Sequence, residues 1–160
     1  MAYANDLLVL LSEPAEWAPL LENLQAYSRS SNAKVNLRKT EVFPLAGNPQ
    51  DEWHVLIKEA NGKWHDSTST ESLTYLGYPV WHNQQQLDRF LQHLYVKMER
   101  HCLMLSGQNL SVVGRALVAN SLLSAKLWHI LRVVVAPIRW LKRFTQLIRN
   151  YVCPYGYKPS

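Results

Sequence analysis

The sequence has 160 residues, of which 48% are hydrophobic, so it is long and apolar enough for a packed core and is not typical of a disordered chain. Its two cysteines, Cys102 and Cys153, have no Cys-x-x-Cys companion. We therefore expect no zinc site and no disulfide framework. The same cysteine usage predicts an intracellular location. Early acidic residues argue against a signal peptide, and the apolar region 112–136 is interrupted by charges, so no membrane partner is expected.

Charge divides the sequence into two halves. Residues 1–80 contain 6 Lys/Arg and 10 Asp/Glu, residues 81–160 contain 11 and 2, and no acidic residue follows Glu99. This asymmetry indicates a polyanionic partner for the second half. A basic surface that is merely solvated accounts for the composition equally well.

The sequence opens with a turn signal followed by an apolar run. Asn5-Asp6 is turn chemistry, and residues 7–11 are typical of a strand buried on both faces. Together they predict a hairpin whose tip carries one amide and one carboxylate. Apolar residues then recur at helical spacing and predict an amphipathic helix over residues 14–30 that lies on the sheet.

Short extended pieces and one helix are predicted next. Residues 35–37 and 42–45 are expected to be extended, the second as an edge strand because Pro44 lacks an amide donor. A helix is predicted over residues 49–60, with Gly62 as its C′ stop. Residues 64–72 read as a polar loop. Within this loop, the three consecutive residues His65-Asp66-Ser67 do not predict a hydrolase triad, because contiguous residues do not build that geometry.

A strand pair and three helices are predicted after the loop. The strand pair, residues 73–80, pivots at Gly77 and ends at Pro79. The first helix covers residues 84–105, and the second begins at a Ser111 cap, runs to about Val135 and is stopped by Pro137. The third covers residues 138–152 and carries its basic residues opposite its apolar stripe.

Four segments of the sequence, in this order and spacing, resemble the polymerase domain of non-LTR (LINE-type) retrotransposon reverse transcriptases. Tyr3-Ala4-Asn5-Asp6 resembles the Tyr-Ala-Asp-Asp box, and the other three segments are residues 32–41, 73–80 and 110–118. The resemblance implies an α+β fold, with a partial palm over residues 1–82 and a helical, basic thumb over residues 83–160. It also implies a truncated, degenerate fragment of an RNA-directed DNA polymerase, whose missing N-terminal part is a candidate partner.

The resemblance carries a catalytic expectation. The family adds nucleotides with two Mg²⁺ ions held by carboxylates. Here Asn5 stands at the first aspartate of the box, so Asp6 alone is an incomplete metal site, and we expect no polymerase activity from this chain by itself. Lys39 matches the lysine that faces the incoming triphosphate, although a solvated loop lysine is the alternative. A plain hairpin turn is likewise the alternative for Asn5-Asp6.

The resemblance also implies contacts with an RNA/DNA template–primer duplex. Leu76-Gly77-Tyr78 matches the primer grip, Tyr3 belongs to the box, and an ordinary turn is the alternative for Gly77. The alternative function is a non-catalytic nucleic-acid-binding module that uses the basic helices. Trp128 and Trp140 are candidates for base stacking, but core positions are more typical of such residues. The candidate phosphate contacts are Arg115, Lys126, Arg132, Arg139, Lys142, Arg143 and Arg149.

Overall fold

The computed structural model describes residues 2–3, 6–48 and 51–154, and it shows a mixed α+β chain in which helices predominate. The chain divides into two compact units, Met1–Ser69 and Thr70–Ser160. The hairpin of residues 73–80 therefore belongs to the same unit as the helices that follow it. The resemblance instead implies a boundary between palm and thumb after residue 82. None of the described helices combines the length and the apolarity that crossing a membrane requires.

The first unit contains short strands and two helices. Strand β1 pairs antiparallel with β2, with Tyr3 opposite Asp6, and β3 pairs parallel with β4. A 3₁₀ turn precedes α1, and a second precedes β3. The elements are β1 (Ala2–Tyr3), β2 (Asp6–Leu7), α1 (Trp17–Ser31), β3 (Glu41–Val42), α2 (Asp51–Glu59) and β4 (Lys63–Trp64).

The prediction of a doubly buried strand over residues 7–11 is wrong. Strand β2 ends at Leu7, and the apolar side chains from Leu7 to Leu10 are exposed, Leu10 by 76%. In the described residues β2 pairs only with β1, so no further strand covers it. The helix over residues 14–30 is confirmed as α1. The prediction that it lies on a sheet is not, because the sheets of the described residues have only two strands each, Trp17 is the one buried residue of α1 and Tyr27 is exposed.

The extended piece at residues 42–45 is also shorter than predicted. Strand β3 stops at Val42, and the Gly47 amide donates to the Pro44 carbonyl oxygen at 3.0 Å, so the chain turns there. The predicted helix over residues 49–60 is confirmed for its described part as α2.

The C′ residue of α2 is Asn61, not Gly62 as predicted. Asn61 has φ 57°, its amide donates to the Lys58 carbonyl, and the Gly62 amide donates to the Ile57 carbonyl, which is the Schellman pattern. Glycine is needed at position 62 for space, because a Cβ atom there would lie 2.9 Å from Cγ2 of the buried Ile57.

The second unit is a hairpin followed by helices, close to the predicted order. Strand β6 runs antiparallel to β5 and ends at Val80, so the predicted strand pair over residues 73–80 is confirmed. The helix that begins after Ser111 contains a π-helical segment, Ala119–Ser124, and ends at Leu131 rather than near Val135. The elements are β5 (Leu73–Tyr75), β6 (Tyr78–Val80), α3 (Gln84–Ser106), α4 (Val112–Val118), α5 (Ala125–Leu131) and α6 (Ile138–Val152).

Side-chain caps fix the starts of two of these helices. The Asn83 side chain accepts a hydrogen bond from the Gln86 amide before α3, and the Gln86 side chain accepts one from the His82 amide. The Ser111 hydroxyl accepts from the Gly114 amide before α4, as the sequence predicted. These bonds satisfy amides that have no partner inside the helix.

The core of the second unit lies between α3, α5 and α6. Along α3 the buried residues recur at helical spacing, and Trp140 of α6 stacks on Phe144 and donates its indole N–H to the Leu91 carbonyl at 2.9 Å. Burial, and then the nearby Glu99, raise the pKa of the Cys102 thiol, so this cysteine acts as a small apolar core residue. The buried core comprises Leu87, Leu91, Leu94, Met98, Cys102, Ala119, Leu123, Leu127, Ile130, Val134, Ala136, Trp140, Phe144 and Tyr151.

Candidate nucleic-acid interface

Helix α6 presents a row of cations on its exposed side. Its apolar side is buried, whereas four of the predicted phosphate contacts are solvent-exposed on the other side. They lie within eleven residues, 139–149. The first and the last are about 15 Å apart along the helix axis, which is about the axial rise of four phosphates of one duplex strand. We call these residues the α6 basic face: Arg139, Lys142, Arg143 and Arg149.

One member of the α6 basic face is held by an aromatic ring of the neighbouring helix. The guanidinium carbon of Arg143 lies 4.2 Å from the ring centroid of Tyr95 in α3. Such a cation–π contact at an exposed site contributes about 0.5–1 kcal/mol and orients the guanidinium. The sequence does not indicate Tyr95, because the pair is separated by almost fifty residues and no local pattern joins them.

Arg115 is not a free cation of this interface. Its Nε donates to the Leu110 carbonyl at 3.1 Å, and its Nη1 donates to the Tyr151 carbonyl at 3.2 Å. The guanidinium also lies 5.9 Å from the Tyr151 ring centroid. Arg115 therefore ties the segment before α4 to the last turn of α6, and its role is structural.

The two remaining cations lie on and beside α5. Lys126 and Arg132 are both solvent-exposed. Between them lies Trp128, which is 63% exposed, whereas Trp140 is 8% exposed. The expectation of a core position is confirmed for Trp140 and wrong for Trp128, because α5 turns its Leu127 and Ile130 toward the core and leaves the indole outside.

The tip of the hairpin β5–β6 is fastened to α5. Leu76 and Gly77 have φ values of 50° and 85°, the pattern of a two-residue type I′ turn. The His129 Nε2 lies 3.3 Å from the Leu76 carbonyl oxygen and its Nδ1 lies 3.1 Å from the Tyr78 hydroxyl. The Tyr78 and His129 rings stack at a centroid distance of 4.1 Å.

One neutral tautomer of His129 satisfies both of these contacts. Its Nε2–H donates to the Leu76 carbonyl while its Nδ1 accepts from the Tyr78 hydroxyl. Gly77 faces this histidine, since a Cβ atom there would meet Nε2 at 3.6 Å. The three residues of the predicted primer grip thus all lie against His129 of α5. The sequence analysis did not identify His129 as their contact.

The residues of the predicted catalytic box lie in the first unit. Asp6 pairs with Tyr3 across β1 and β2, Asn5 lies outside the described residues, and Lys39 is exposed at the end of a 3₁₀ turn. Within the described residues no cluster of three or more His, Cys, Asp or Glu side chains is arranged to hold a metal ion. Asp6 supplies one carboxylate and Asn5 supplies none, so these residues do not fit a pair of Mg²⁺ ions.

Asp66 is buried in the loop after β4, and it organises that loop. One carboxylate oxygen accepts from the Trp64 indole at 2.8 Å, and the other accepts from the amides and hydroxyls of Thr68 and Ser69. Burial alone raises a carboxyl pKa, but these hydrogen bonds hold the pKa of Asp66 well below its usual range. Asp66 is therefore a structural anion of this loop.

Comparison with known proteins gives no relative for this chain. No protein-family model, no curated protein and no solved structure matches it.

Proposed function

We propose that the chain binds nucleic-acid duplexes through their phosphates, without reading their sequence. The observation that carries this proposal is the α6 basic face, in which four exposed cations share one side of a helix and no acidic residue follows Glu99 in the sequence. Phosphate contacts of this kind position a protein on a duplex and make its affinity depend on salt.

The proposal extends to the origin of the chain. The Tyr3-Ala4-Asn5-Asp6 box and the Leu76-Gly77-Tyr78 turn support derivation from the later palm and thumb of a non-LTR reverse transcriptase. If the chain derives from such an enzyme, the duplex that it is expected to bind is an RNA–DNA hybrid. The replacement of the first aspartate of the box by Asn5 is then the change that abolished Mg²⁺-dependent polymerisation. Phosphate binding does not need the carboxylates of the box, so it survives their loss.

Duplex binding is tested by salt titration of the purified chain with a fluorescent RNA–DNA hybrid. We expect the logarithm of the association constant to fall linearly with the logarithm of the salt concentration. Arg139→Gln, Lys142→Gln and Arg149→Gln should each weaken binding and reduce this slope by about one. The matched control is Lys58→Gln, which removes an exposed cation from α2 in the first unit and should leave the slope unchanged. A flat salt response would contradict the proposal, as would equal slopes for all variants.

Loss of polymerisation is tested separately by primer extension on the same hybrid with deoxynucleotides and Mg²⁺. We expect no extension, because an amide at position 5 supplies one neutral oxygen where the metal pair needs a carboxylate. Asp6→Asn is the control for contaminating polymerase, since extension that persists in this variant does not come from the chain. Extension by the wild-type chain that disappears in Asp6→Asn would contradict the loss of catalysis.

A further inference from the structure

Trp128 stands out among the tryptophans of the chain. All six lie in the described residues, and only Trp128 is solvent-exposed, with 63% of its surface open. An indole left in water on the surface of a folded unit marks a place where a partner covers it more often than a lone exposed aliphatic side chain does.

The residues one helical turn from Trp128 are small or cationic. Ser124 and Ala125, which come one turn earlier, both have short side chains. One turn later on the same side of the helix is Arg132, an exposed cation.

The helix that carries Trp128 is held in place at the next residue. His129 contacts the Leu76 carbonyl and the Tyr78 hydroxyl, so the hairpin tip is fixed to α5 at the residue that follows Trp128 in the sequence. A platform whose support is already fixed loses little conformational freedom when a ligand binds, which favours binding.

We propose that Trp128 is a stacking platform for an unpaired base of a nucleic acid, with Arg132 contacting an adjacent phosphate. Every base offers a π face, so the stack is tolerant of sequence, and its strength depends little on salt. The phosphate contacts, in contrast, weaken steeply with salt. The inference rests on the proposed function and adds to it a preference for single-stranded ends or gaps next to a duplex.

The test compares a twelve-nucleotide deoxythymidine strand with a blunt duplex of the same length, using the full chain. We expect Trp128→Ala to weaken single-strand binding roughly 5- to 100-fold without changing the salt slope, and Trp128→Phe to retain most of the affinity. Blunt-duplex binding should be nearly unchanged in both variants. Leu117→Ala is the matched control, because it shortens another exposed apolar side chain, on α4, and should leave both affinities unchanged.

The outcomes separate this inference from the proposed function. If Trp128→Ala binds single strands like the wild type while the Gln variants of the α6 basic face lose affinity, the stacking platform is refuted and duplex binding stands. If the wild-type chain binds neither nucleic acid, both fail. The wild-type chain has six tryptophans, so Trp128→Phe is the reference for fluorescence. A fluorescence change with vesicles of anionic phospholipid that is absent in Trp128→Phe, and no such change with the single strand, would also refute the stacking platform. Circular dichroism of each variant checks that its fold is intact.

Discussion

At the scale of single residues, Asp66 is a buried side chain in a dense polar environment. Its two oxygens accept hydrogen bonds from Trp64, Thr68 and Ser69 inside a loop where the residue itself is 4% exposed. A buried anion is tolerated only when its oxygens are satisfied in this way. The loop geometry therefore depends on the charge of one residue.

We predict that Asp66→Asn lowers the free energy of unfolding of the first unit by about 2 kcal/mol, because the amide cannot accept the same set of hydrogen bonds. Urea denaturation followed by tryptophan fluorescence measures the loss, since the Trp64 indole is one of the donors. Glu22→Gln is the matched control, because it neutralises an exposed acid of the same unit, in α1, and should change the midpoint little. Equal midpoints for Asp66→Asn and the wild type would contradict the role of this carboxylate.

The same group predicts a pH dependence with a definite sign. The pKa of Asp66 is lower in the folded protein than in the unfolded chain, where it is about 4. Its stabilisation is therefore complete above about pH 4 and is lost as the pH falls toward the folded-state pKa. In urea titrations at a series of pH values, the difference between wild type and Asp66→Asn should shrink below about pH 4. A constant difference down to pH 2 would contradict this assignment.

Trp128 and Trp140 show what residue patterns in the sequence can and cannot predict. Both lie on apolar helices, and both were expected in the core. Trp140 reaches the Leu91 carbonyl across the core, whereas Trp128 falls on the outer side because Leu127 and Ile130 take the inner one. Whether such a tryptophan is buried or exposed depends on which side of its helix packs against the neighbouring elements. That packing is tertiary structure, which local sequence patterns do not specify.

At the scale of elements, the hairpin β5–β6 contains a turn whose first residue is poorly suited to its backbone. Leu76 has φ 50° and Gly77 has φ 85°. A type I′ turn needs left-handed conformations at both positions and prefers Asn-Gly. Glycine satisfies the second position, but leucine at the first costs conformational energy.

We predict that Leu76→Asn raises the free energy of unfolding of the second unit by about 0.5–1 kcal/mol, and that Gly77→Ala lowers it by about 1 kcal/mol. The opposite signs follow from φ alone, because Leu76 is half-exposed and the His129 contact uses its backbone carbonyl rather than its side chain. Thermal unfolding followed by circular dichroism measures both changes. A destabilised Leu76→Asn variant would show that the leucine side chain contributes more than the turn conformation.

The elements that could be predicted are those whose signal is local. The helices near residues 84–105 and 138–152 follow the spacing of their apolar residues, and the structure has them within one residue. The strand at residues 7–11 could not be predicted, because a run of apolar residues becomes a strand only when neighbouring strands pair with it, and β2 has one short partner in the described residues. The π-helical segment Ala119–Ser124 likewise has no local signal, although it shifts which residues of α5 face the core.

At the scale of the whole molecule, apolar burial is unevenly shared between the two units. In the described part of the first unit only Trp17 and Ile57 are buried apolar residues, whereas the second unit holds the entire core cluster between α3, α5 and α6. Because burial of apolar surface is the main stabilising contribution to folding, the two units should differ widely in their stability. We expect the unit that carries the α6 basic face to be the more stable one.

We therefore predict that hydrogen exchange separates the chain into two classes of amides. Amides of α3, α5 and α6 should be protected to the level of global unfolding, while those of α1 and α2 should exchange through low-energy local opening. Urea should unfold the first unit at a lower concentration than the second, giving two transitions by circular dichroism. Duplex binding should persist between those transitions, since its cations lie in the second unit. A single cooperative transition with uniform protection would show instead that the first unit is stabilised by as much burial as the second, and binding would then be lost together with the fold.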